Sequence, residues 1–112
     1  MATSTVKNNN MTELWSGSWN SGSITVPNSD KYNVFVIHSD DVAIICARLT
    51  DGSINGMSAT PTRQDLIWTK AVKIQTNGTT WTLANSSVMG HQGNAIHGGT
   101  SAVAIDHIFG LI

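Results

Sequence analysis

Residues 14–26 read Leu14-Trp15-Ser16-Gly17-Ser18-Trp19-Asn20-Ser21-Gly22-Ser23-Ile24-Thr25-Val26. Two short strand-like pieces are joined here by small polar turn formers, and two Trp stand four positions apart. No helical 3.6-residue stripe is present, so the segment reads as β-structure carrying large aromatics on an uncharged polar background. An indole among Ser, Asn and Gly suits a neutral, wet ligand such as a sugar better than a phosphate or a cation. The ring offers a stacking face, and hydroxyls and amides offer adaptable hydrogen bonds.

The rest of the chain agrees with that reading. Ser, Thr, Asn and Gly supply 45 of 112 residues, and nineteen Ile and Val stand against five Leu and one Glu, which leaves little material for amphipathic helices. Strands are expected at about 13–19, 22–26, 31–38, 42–49, 54–59, 65–76, 79–89 and 101–109. The turns between them are marked by Pro27-Asn28-Ser29-Asp30, Ser39-Asp40-Asp41, Asp51-Gly52 and Asn77-Gly78. Asn77-Gly78 is the clearest hairpin signal, because this pair accepts the positive φ of a tight turn. Eight short antiparallel strands predict an all-β domain, an antiparallel β-sandwich with a jelly-roll as one arrangement open to it. Residues 1–11 are polar and read as a flexible lead, with one domain over 12–112.

Only 12% of residues are charged, the net charge is -1 and no basic run exists, so the field that attracts nucleic acid or an anionic membrane is missing. No apolar stretch reaches the roughly 20 residues of a membrane-spanning helix, and the N-terminus lacks the apolar centre of a signal peptide, so export by that route is not expected. The lone Cys46 lies in the apolar run 42–49, where a thiol packs as a small hydrophobe. Three matches to the glycosylation triplet, at Asn10, Asn77 and Asn85, are at chance level for this composition.

Tyr32 to Ile37 and Val42 to Leu49 are apolar at nearly every position, so both sides of those strands need cover. The C-terminus poses the same problem. Val103, Ile105, Phe109 and Leu111 share one face of an expected last strand, and they are the candidate oligomer interface.

Leu14-Trp15-Ser16-Gly17 through Trp19, Gly22-Ser23-Ile24-Thr25-Val26-Pro27, the strand Tyr32 to Ile37, Trp81-Thr82-Leu83 after Gly78, and the closing Ile108-Phe109-Gly110-Leu111-Ile112 are similar to C-terminal head domains of bacteriophage or prophage tail fibre, baseplate and receptor-binding proteins. The resemblance implies a β-sandwich head, commonly a homotrimer, located in the virion and made in the cytoplasm of the bacterial host. It implies contact with a bacterial cell-surface polysaccharide or protein receptor and with other tail proteins. The chain departs from such proteins in carrying almost no shaft-forming or tail-attachment segment before the domain.

Trp15 and Trp19, flanked by Ser and Gly, are the candidate exposed aromatics, whereas Trp68 and Trp81 alternate with aliphatic residues as core positions do. His91, Gln92, Asn94 and His97 belong to Gly90–Gly99, the longest stretch without strand character, and are the candidate ligand-binding loop. His91, His97 and His107 could meet at a symmetry axis, but their spacing is no recognised ligand pattern, and neither a metal nor a cofactor is expected. Catalysis is not expected either. A glycosidase needs two facing carboxylates, yet Asp40 and Asp41 are adjacent in a turn, Glu13 is the single Glu, and Asp106 and His107 point to opposite faces of one strand. The expectation is noncatalytic receptor binding by many weak sites. A structural tail or baseplate component, or a small lectin of cellular origin, shares the same features.

Overall fold

A computed structural model describes residues 10–40, 42–63, 66–93, 95–100 and 102–111. Among these residues nine strands are present: β1 Met11–Trp19, β2 Ser23–Thr25, β3 Val34–Ser39, β4 Val42–Arg48, β5 Ile54–Arg63, β6 Leu66–Asn77, β7 Thr80–Gln92, β8 Ala95–Thr100 and β9 Ile105–Leu111. The expected lead over 1–11 falls largely outside the described residues, although Met11 already pairs with Leu111 in β1.

All pairings are antiparallel and run in the order β1-β9-β3-β4-β5-β6-β7-β2, with β8 also beside β7. Because β4 pairs with β5 only through Cys46–Arg48 and Ile54–Gly56, the sheet splays there and folds over into two layers. β1, β9, β3 and β4 form one layer, and β6, β7 and β2 form the other. Phe35 of β3 meets Trp81 of β7 edge to face at 4.9 Å across the space between them. The fold is the expected antiparallel β-sandwich.

Period-two alternation sets the core. Phe35 and Ile37, then Ile44 and Cys46, point inward with Ile54, Val72, Ile74, Ile105 and Ile108, while Val34, Ala43, Ile45 and Ala47 point outward. Trp81 is fully buried, and its indole N–H donates to Ser29 Oγ at 3.0 Å. Arg48 fastens three segments from within. Its guanidinium donates to the Ser29 carbonyl at 2.8 Å, the Tyr32 carbonyl at 3.2 Å and Thr76 Oγ1 at 3.2 Å, and it lies 5.5 Å from the Phe35 ring centroid.

The β6–β7 hairpin turns at Gly78, whose φ of 63° at the first central position has the sign of a type II′ turn. Other turn signals hold too: Asn28, Asp40 and Gly52 adopt φ of 64°, 55° and 89°. Two expectations are corrected. Gly90–Gly99 is no loop: β7 continues to Gln92 and a ninth strand, β8, returns from Ala95. The last strand runs over 105–111 instead of 101–109, so the segment before Ile105 is a connection.

Candidate functional site

β1 carries bulges between Glu13 and Trp15 and between Ser16 and Trp19, and these decide where its two indoles go. Trp19 turns inward. It is 2% exposed and donates its Nε1–H to the Gly22 carbonyl at 3.1 Å, so it is a core side chain and offers no ligand surface. Trp15 stays half-buried, lying over Gly17 and meeting Trp19 edge-on at 6.3 Å. A Cβ on Gly17 would come within 2.9 Å of that ring, so glycine is what lets the indole lie flat there.

The expected loop residues sit on the β7–β8 hairpin. His91 pairs in register with Ile67 and Ile96, and its Nε2 lies 3.3 Å from Thr69 Oγ1. Gln92 is exposed at the end of β7, next to a turn in which Gly93 takes a φ of 60°. Asn94 and the side chain of His97 lie outside the described residues. Glycine disfavours a strand interior by only about 0.5–1 kcal/mol, and the pairing of β7 with β8 overrides that preference here. Gly90 makes room for the Trp68 ring, whose atoms would be 3.1 Å from a Cβ, and Gly99 lies against the Val88 carbonyl.

These candidates are not brought together. Trp19 ends beside Gly22, whose carbonyl accepts the Leu83 N–H, while His91 lies eight residues further along β7, roughly 26 Å away at strand rise.

What the fold does form is an open hollow of about 530 Å³ lined by Asn85, Ser86, Ser87, Met89, Ile96, Gly98 and Gly99. Its origin is topological. β2 and β8 share one edge of β7, β2 taking Thr80–Thr82 and β8 taking Val88–Gln92, and the hollow lies by the stretch between those two pairings. The connection before β9 passes here, with the Val103 N–H donating to Ser86 Oγ at 3.1 Å. A smaller depression of about 130 Å³, bounded by Ala71, Val72, Lys73 and the same Asn85-Ser86-Ser87 run, adjoins it at a bulge between Lys73 and Ile74. The lining of the hollow combines Met89, the exposed Ile96 and two glycines with the amide of Asn85 and the hydroxyls of Ser86 and Ser87. Sequence reasoning missed it, although Asn85-Ser86-Ser87 inside a strand was its visible trace.

The lining offers apolar contact with amide and hydroxyl hydrogen-bonding groups, and it contains no carboxylate. Burial pushes the Cys46 thiol up to about 12, which keeps it protonated and inert. Glu13 is engaged with His107, Oε2 to Nδ1 at 2.7 Å. Among the described residues no group of three or more His, Cys, Asp or Glu could hold a metal.

The expected interface residues divide as well. Val103 and Ile105 are both fully buried in the chain's own core, which removes them from any contact with a neighbour. Phe109 and Leu111 remain half-exposed on the outer face of β9.

The chain matches no protein-family model, no curated protein and no solved structure.

Proposed function

We propose that this chain is a noncatalytic, homotrimeric domain of a phage tail that adsorbs the particle to a bacterial surface glycan. The observation that carries the reading is the open hollow between β8 and the middle of β7. Met89, Ile96, Gly98 and Gly99 offer an apolar bed of about one or two sugar rings, and Asn85 and Ser87 stand at its border. A shallow neutral site of this kind binds with a Kd near the millimolar scale, about -4 kcal/mol. Three copies held in one array raise the effective binding by roughly 10² to 10⁴ without a new contact.

The test is retention of the protein on host cell-wall polysaccharide and on a glycan array. Asn85→Ala with Met89→Ala is expected to abolish retention while the thermal transition persists, and Trp15→Ala to weaken it only if the ligand extends to β1. Absence of retention at any surface density would overturn the reading. It would favour the alternative, a structural tail or baseplate component, for which the uncharged outer face of β3 and β4 is the supporting observation.

A further inference from the structure

The outer face of β1, β9, β3 and β4 lies on the opposite side of these strands from the core and has no role in the hollow. Registration places Phe109, Val36 and Ile45 side by side across its middle, with Leu111 beside Val34 on one flank and His107 beside His38 on the other. Ile45 is 66% exposed and Val34 37%, whereas Val36 is covered by its neighbours. The rings are already organised. His38 stands 5.5 Å from Phe109 and 6.1 Å from His107, and His107 stacks on Phe109 at 6.2 Å with 27° between planes. Glu13, in register with Phe109 at the border with β1, has its Oε2 2.7 Å from His107 Nδ1. β4 contributes Ala43, Ile45 and Ala47 to this side, so apart from that bordering carboxylate the described residues of the face are apolar groups and rings.

We infer that this face is the seat of a second copy of the same chain, and the inference rests on the oligomeric part of the function proposed above. Two properties select that occupant. Four strands about 4.8 Å apart and five to six residues long make a plan of roughly 350 Å². With side-chain relief the accessible area is about twice that, roughly 700 Å² per copy, close to the ~800 Å² per partner of a standard interface. With its carboxylate, Glu13, confined to the border, this face meets the adjoining outer surface of a neighbour around a three-fold axis with little charge repulsion, and the copy is always present at equal concentration. A polysaccharide finds few hydrogen-bonding groups at Val34, Ala43, Ile45 and Ala47. A lipid surface finds no basic fringe. Aromatic enrichment with few charges is the composition of an interface centre.

The experiment is mass measurement by light scattering over a range of concentration, with Ile45→Asp as the probe and Ile67→Asp as the control. Ile67 is exposed too, at 42%, but belongs to β6 in the other layer. Both variants place the new carboxylate on solvent-facing positions, and near-ultraviolet circular dichroism checks that the core is intact. An oligomer that Ile45→Asp weakens about a hundred-fold or more, and that Ile67→Asp leaves unchanged, supports the assignment. A stable oligomer indifferent to Ile45→Asp overturns this surface while leaving assembly, and the glycan reading, in place. A monomer at every concentration overturns both the surface and the avidity argument. Co-sedimentation of a monomer with phosphatidylcholine vesicles, lost in Ile45→Asp, overturns it in favour of a lipid partner.

Discussion

Replacing Trp81 by Phe removes one buried hydrogen bond and little else, which makes it a clean probe of how the two layers are joined. The indole is fully buried, its N–H reaches Ser29 Oγ at 3.0 Å, and its ring meets Phe35 edge to face. Phe at this position keeps the aromatic contact. The lost hydrogen bond costs about 1 kcal/mol net, and a buried hydroxyl left without its donor adds about 1–3 kcal/mol. The smaller ring adds about 1 kcal/mol of lost burial, so Trp81→Phe is expected to cost about 3–5 kcal/mol. Ser29→Ala strands the indole N–H instead and is expected to cost about 2 kcal/mol. In the double variant neither polar group is orphaned, and its cost is expected to be about 3 kcal/mol in total, well below the summed singles. Urea titration measures all four proteins, with the slope held constant as the check on two-state behaviour. A coupling below about 0.5 kcal/mol, the level of independent sites, would refute the reasoning.

Four further outcomes are expected. Gly110→Ala places a methyl 2.6 Å from Tyr32 Cδ2 and should destabilise the domain by about 1–3 kcal/mol in the same titration, with Tyr32→Leu recovering part of the loss. Cys46 should resist iodoacetamide in the native state and react only on opening. Because its folded pKa stands above the unfolded value, this thiol contributes nothing at neutral pH and lowers stability as pH rises from about 9 toward 12. The Ser53 hydroxyl and backbone N–H, both donating to Asp51 Oδ1, hold that carboxyl below its usual range, so its contribution is present above the ordinary carboxylate pKa and fades as pH falls through the lower folded value. Ser53→Ala should move the Asp51 titration upward in carboxyl-detected NMR. Gly78→Ala should cost about 1 kcal/mol, read as a lower urea midpoint, because alanine is strained at that positive φ.

Local chemistry alone determined a good deal of this protein. β-Branched content and turn formers specify an all-β domain, Asn77-Gly78 specifies its hairpin, and the low charge follows from composition, because each of these depends on neighbours in the chain. The burial of Trp81 and Cys46 was legible for a similar reason, since both alternate with residues that face the core. Gly90–Gly99 misled because glycine scarcely discriminates between loop and strand, and pairing with β7 settled the matter.

The fate of Trp19, Val103 and Ile105 belonged to tertiary structure. Each lies in a context that reads as surface or interface, and each is drawn inside by bulges, connections and the stacking of one layer on the other. The hollow likewise exists only because β2 and β8, whose nearest ends in sequence, Thr25 and Ala95, are 70 residues apart, come to share one edge of β7. Period and propensity act over a few residues, whereas a cavity and a buried face are properties of which strands lie side by side, and that is decided by packing across the whole chain.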